Sequence, residues 1–181
     1  MLKYRISLAA SLMLLSGLTL ANAADNKPNV LTIEKEAGKP IATYTVEELG
    51  KAFPSKLLET ATPWTNGEKR RYRGSSLKDI LAKYSSADAK IVTGVALDGF
   101  EAKLEMKEIK SYDPIIATEV DCVDSDRLAA TCTKEQEFRP LTDADRGPFY
   151  VVWPYNQLPK STNSDENYRW IWFLAALRPE K

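Results

Sequence analysis

Turn signals cut this sequence into short pieces, and they constrain its fold more than any other feature. Ala37-Gly38-Lys39-Pro40, Asn66-Gly67 and Asp98-Gly99 carry residues that reverse a chain, and Pro54, Pro114 and Pro154 each stop an element. Residues 30–34 and 41–44 alternate β-branched with polar side chains around the first turn, which predicts two short strands. Thr45-Val46-Glu47-Glu48 has the spacing of a capping box and predicts a short helix that Pro54 ends. Residues 56–67 read as extended and turn at Asn66-Gly67 into a strand over 68–73. Ser75 and Ser76 can cap a second helix, in which Leu77, Ile80, Leu81 and Tyr84 form one apolar stripe for the core. Residues 91–97 and 100–104 flank Asp98-Gly99 as a second hairpin, 106–112 read as a helix and 115–120 as a buried strand. Residues 149–153 and 168–178 supply the closing strands. Strands outnumber helices and no repeat is present, so the expected class is α+β, with a mixed, mostly antiparallel sheet and short helices.

Lys3 and Arg5 precede an uncharged run over 6–20, and Ala21-Asn22-Ala23 follows it. That is the order of a cleavable secretory signal peptide, and a run of about 15 residues is shorter than a membrane-crossing helix needs. The expectation is that residues 1–23 are removed and residues 24–181 form a single domain. It is expected in the periplasm as a monomer, with no membrane span after processing. The full sequence carries 25 basic and 25 acidic residues, so loss of Lys3 and Arg5 leaves it slightly acidic. Nucleic acid needs a basic footprint, and that class of partner is excluded. Lys69-Arg70-Arg71 is the one basic cluster and reads as a solvated strand face. Cys122 and Cys132 form an even pair that an oxidising compartment joins as a disulfide.

The sequence contains no histidine. It therefore lacks the commonest general base and the commonest zinc ligand, and pairing of its cysteines removes the thiolate nucleophile as well. Asp143 and Asp145 read as part of a solvated polar loop. Asp121, Asp124 and Asp126 resemble part of a calcium loop but lack the glycine and distal glutamate of an EF-hand. No catalytic or metal-ligating residue is assigned. The aromatic residues carry more promise: Trp64 follows Pro63, Trp153-Pro154-Tyr155 closes one strand, and Trp170 and Trp172 fall on one face of the last. Each tryptophan supports two readings. One is core packing with the indole N–H hydrogen bonded. The other is a concave pocket edged by Trp64, Trp153, Tyr155 and Arg169, in which an apolar wall and one cation hold a small anionic or aromatic ligand.

Several segments, in order, resemble one family. Tyr72-Arg73-Gly74-Ser75-Ser76-Leu77-Lys78-Asp79-Ile80-Leu81 resembles the strand-to-helix passage of sulfite-oxidase-type molybdopterin-binding domains, and Val95-Ala96-Leu97-Asp98-Gly99-Phe100 resembles their next hairpin. Ile115-Ile116-Ala117-Thr118 is similar to their buried strand. Gly147-Pro148-Phe149-Tyr150-Val151-Val152-Trp153-Pro154 and Tyr168-Arg169-Trp170-Ile171 are similar to their closing segments. The resemblance spans most of residues 45–178 and implies the sulfite-oxidase-like α+β fold. Enzymes of that family ligate molybdenum through a cysteine, and Thr62 stands about where it would lie, a hydroxyl in place of a soft thiolate. The implied fold thus comes without the activity. The expectation is a binding or interaction module with no cofactor. Its cleft, lined by Thr62, Trp64, Trp153, Tyr155 and Arg169, would take a small molecule or the periplasmic part of an inner-membrane sensor protein. The alternatives are a molybdopterin-dependent oxidoreductase with atypical ligation and a structural envelope protein.

Overall fold

Alternation around Ala37-Gly38 builds the first hairpin of the computed structural model, which describes residues 29–85, 88–159 and 164–180. The expected signal peptide, residues 1–23, lies outside the described residues. Strand β1 (Val30–Glu36) pairs antiparallel with β2 (Lys39–Thr45), and Leu31 and Ile33 are fully buried in the core. Thr45 caps α1 (Val46–Ala52): its hydroxyl accepts from the Glu48 amide at 3.2 Å, while the Glu48 carboxylate accepts from the Thr45 amide at 2.8 Å. Strands β3 (Ser55–Thr60) and β4 (Arg70–Ser76) pair as far as Thr60 opposite Arg70, so residues 61–69 form a loop wider than a two-residue turn. Asn66 and Gly67 still both take left-handed conformations there. The Ser76 hydroxyl caps α2 (Leu77–Tyr84), which buries Leu77, Ile80 and Leu81 as its stripe predicts.

The remaining elements are β5 (Ile91–Ala96), β6 (Glu101–Glu105), α3 (Met106–Tyr112), β7 (Ile115–Asp121), α4 (Asp124–Leu128), β8 (Phe138–Pro140), β9 (Tyr150–Val152) and β10 (Leu174–Glu180). The described strands form two sheets rather than one. The first has the order β2-β1-β10-β5-β6, with β1 parallel to β10 and every other pair antiparallel. The second runs β3-β4-β7-β8, all antiparallel, with β9 beside β8 along the same edge of β7. The class is therefore α+β with mixed, mostly antiparallel sheets. Strand β7 has partners on both edges and a nearly continuous buried run, as a central strand requires. Edge strand β6 alternates strictly, burying Ala102 and Leu104 and exposing Glu101, Lys103 and Glu105, charges that discourage pairing with another chain. One core joins the sheets, with Leu31, Ile33 and Leu177 from the first and Ile115, Ile116, Val151 and Trp153 from the second. No helix among the described residues is long and apolar enough to cross a membrane.

Three expectations are corrected. The last strand begins at Leu174, not at 168, because residues 164–169 coil into a 3-10 helix and Phe173 turns through φ 48°. The Val151 amide donates to the Ile171 carbonyl and the Leu174 amide to the Phe149 carbonyl, so this stretch bonds back to the segment around β9 before entering its sheet. The Arg70-Arg71 pair is not a solvated face: Arg70 lies 2.7 Å from Asp121 and 3.3 Å from Asp126, and Arg71 lies 2.9 Å from Glu137. Asp145 is likewise not solvated, since it shares the Arg139 guanidinium with Asp126 at 2.5 and 2.8 Å.

Cys122 and Cys132 are bonded, with Cα atoms 6.1 Å apart, across the loop that contains α4. Closing so short a loop contributes about 3 kcal/mol in the loop-entropy model, equivalent to about 6–12 °C in Tm. Cys122→Ser/Cys132→Ser protein is expected to melt lower by that margin, and addition of reductant is expected to reproduce the shift in the parent. Identical melting curves with and without reductant would refute a stabilising bond.

Candidate functional site

The loop over 61–69 is shaped by a local knot of threonines. The Thr62 amide donates to the Thr65 hydroxyl at 2.9 Å, the Thr65 amide donates back to the Thr62 carbonyl at 3.2 Å, and the Trp64 amide donates to the Thr62 hydroxyl at 3.4 Å. Thr62 is buried by this arrangement, while Trp64 is pushed outward. Trp153 is fully buried, and its indole N–H donates to the Arg169 carbonyl at 2.8 Å. The Arg169 guanidinium is buried too, 5.6 Å from the Trp153 ring centre and 3.7 Å from the Glu108 carboxylate. Tyr155 is exposed and packs on Trp170 with ring centres 6.1 Å apart. Of the five residues named from sequence, Trp153 and Arg169 thus form a core pair and Thr62 the base of a loop. Trp64 and Tyr155 reach the surface, and each packs against Trp170.

Trp64 is one wall of an open cleft of about 370 Å³. The others are Phe100 from the β5–β6 turn and Tyr168, Trp170, Trp172 and Phe173 from the segment before β10. That volume lies within the range of small-molecule sites. Asp98 and Asn167 supply polar groups, and the Asp98 carboxylate also accepts from the Phe100 amide at 2.9 Å, which sets the turn. The Leu97 amide donates to the Phe173 carbonyl at 3.0 Å, fastening the turn to the tryptophan segment. Trp64, Phe100 and Tyr168 are 37%, 45% and 37% exposed. An apolar patch of that kind, gathered around a concavity, marks a contact surface.

Behind this wall lies a second layer. The Trp64 and Trp172 rings meet edge to face with centres 4.6 Å apart, and the Arg146 guanidinium carbon lies 5.1 and 4.4 Å from them. Tyr150, 1% exposed, faces the side chains of Thr62 and Trp172, and burial pushes its hydroxyl pKa well above the ordinary tyrosine range. It therefore remains an O–H donor at physiological pH. Arg146 and Phe173 both hold left-handed backbones, φ 69° and 48°, and the Phe173 amide donates to the Arg146 carbonyl at 2.9 Å. Such conformations are costly for side chains of this size and gather at functional sites.

The sequence singles out Trp64, Trp170 and Trp172 by their spacing and neighbours but carries no signal at Arg146, which follows Asp145 directly. It points to Arg169 as the cation of the site, whereas the structure commits Arg169 to Trp153 and Glu108. No family model matches this chain, and no curated protein matches it either.

The donors around Thr62 do not fit a molybdenum centre. Thr62 is a buried neutral hydroxyl, and the two cysteines are bonded to each other, so neither offers a soft thiolate. Among the described residues no cluster of cysteine, aspartate and glutamate is arranged to hold a metal ion.

Proposed function

We propose that this chain is a periplasmic binding module of sulfite-oxidase-like fold, working without a cofactor, whose site is the aromatic cleft between the 61–69 loop, the β5–β6 turn and the segment before β10. The observation that carries this reading is the cleft itself: six aromatic walls around about 370 Å³, three of them left exposed at the rim. The order of the resembling segments supports the fold assignment, and the basic, apolar and small-residue sections of the leader support the location. The module takes a small ligand into the cleft and presents the loaded state to the periplasmic part of an inner-membrane sensor protein.

The neutral naphthalene fluorophore prodan tests the cleft. Saturable, blue-shifted emission is expected with the parent protein. Phe100→Ala and Tyr168→Ala, each removing one exposed wall, are expected to weaken binding by up to about tenfold. Absence of saturable binding, or binding as tight in both variants as in the parent, would reject this site.

A further inference from the structure

Three polar atoms behind the cleft are buried without a partner in good hydrogen-bond geometry, Arg146 Nε, the Tyr150 hydroxyl and Trp172 Nε1, the Tyr150 hydroxyl having the Trp172 and Thr62 side chains as its near neighbours. Each of them can donate, and buried donors left without an acceptor are costly enough to call for an explanation. Arg146 is also singular among the arginines. Every other described arginine has a carboxylate no farther than 3.7 Å away, whereas Arg146 has none among the described residues and is held by the Trp64 and Trp172 rings. Its left-handed backbone shows that the fold holds it in place against a local cost.

We propose that Arg146, Tyr150 and Trp172 form a binding site for a carboxylate or small oxyanion, the acidic end of a ligand whose apolar body occupies the aromatic cleft. This rests on the reading of the cleft as a binding site and names the class of molecule it takes. An acceptor-only anion matches this set: guanidinium and indole can only donate, the phenol can donate as well, and the guanidinium supplies the compensating charge. A neutral carbonyl would satisfy a donor but leave the arginine uncompensated. Trp64 and Trp172 belong both to the cleft and to the arginine's surroundings, so the two parts are contiguous. Trp64, the exposed member of the pair, has to swing aside to admit the acidic group.

The tryptophans report on this site through their own fluorescence. Benzoate is the probe, with benzyl alcohol as its neutral counterpart. The parent protein is expected to bind benzoate saturably and at least about tenfold more tightly than benzyl alcohol, a gap appropriate to one charge-assisted contact. Arg146→Gln is expected to bring benzoate down to the level of the alcohol, and Tyr150→Phe to weaken it by about threefold or more. Circular dichroism identifies variants that keep the fold; if Arg146→Gln does not, Tyr150→Phe and the benzoate-to-alcohol ratio of the parent decide. A parent ratio near one, or benzoate binding unaltered in the folded variants, would overturn the proposal. If prodan still binds in that case, the cleft survives as an apolar site and only the anion site falls; if prodan also fails, both fall.

Discussion

Gly74→Ala protein is expected to be recovered unfolded or aggregated. A Cβ at this position would stand 1.9 Å from the Ile116 carbonyl oxygen and 2.7 Å from the Ala117 Cα. Both are backbone atoms of β7, so no side-chain rotation relieves the overlap, and the central pairing of the second sheet has to part. The cost expected is above about 4 kcal/mol, the range of severe core disruptions, against a total stability of about 5–15 kcal/mol for a domain. Gly94→Ala is a useful contrast. Its Cβ would meet the Ile171 Cδ1 at 2.3 Å, the end of a side chain that can rotate, and a milder loss is expected. Urea denaturation followed by circular dichroism checks both, and a Gly74→Ala protein within about 1 kcal/mol of the parent would show that β4 and β7 separate without penalty.

Arg139→Met is expected to lose about 3–5 kcal/mol at pH 7, as breaking a buried ion pair from one side does. The guanidinium lies between Asp126 and Asp145 with only 11% of its side chain exposed, and the two carboxylates are similarly enclosed. Burial pushes the pKa of Asp126 up, but the Val123 amide and Arg139 more than reverse this and the net shift is downward. Burial acts on Asp145 in the same way and is overcome by hydrogen bonds from Arg139 and Thr142. Carboxylates with lowered folded values contribute stability that is whole above their unfolded value near 4 and is lost as pH falls below it. The deficit of Arg139→Met is therefore expected to be largest near neutrality and to narrow towards pH 3. Urea titrations of both proteins at pH 7 and pH 3.5 read this directly; an equal deficit at the two values would assign the loss to packing rather than charge.

Local chemistry was the legible part of this fold. The Thr45 capping box, the Leu77-Ile80-Leu81 stripe, the apolar run of β7 and the cysteine pair all depend on residues close in sequence or on a single compartment argument. What alternation could not foresee was the stretch from Tyr168 to Phe173. Its bulky residues have strong strand preference, yet its carbonyls and amides bond to Leu97, Arg146 and Val151, and tertiary pairing overrides propensity there. The ion pairs were hidden for a related reason. Arg70 and Arg139 meet the same aspartate, Asp126, from positions far apart in the chain, so a charged triplet and a polar loop looked solvated in isolation. In the candidate site, Trp64 was visible because a tryptophan beside a proline in an extended segment is conspicuous. The choice between Arg146 and Arg169 turned on which arginine has a carboxylate neighbour, and that is a property of the folded arrangement alone.

The place of β10 also dictates an order of assembly. It sits in the middle of the first sheet, with β1 on one side and β5 on the other. Until residues 174–180 emerge from whatever makes or delivers the chain, β1 with β2 and β5 with β6 are two hairpins sharing no edge. The described strands of the second sheet are all in hand by residue 152. A chain supplied from its amino end can thus pair β3, β4 and β7 to β9 while the first sheet waits for its keystone. Pairing of this kind joins residues far apart in sequence, and closing such a loop before the contacts form is what long-range sheet pairing costs in folding speed.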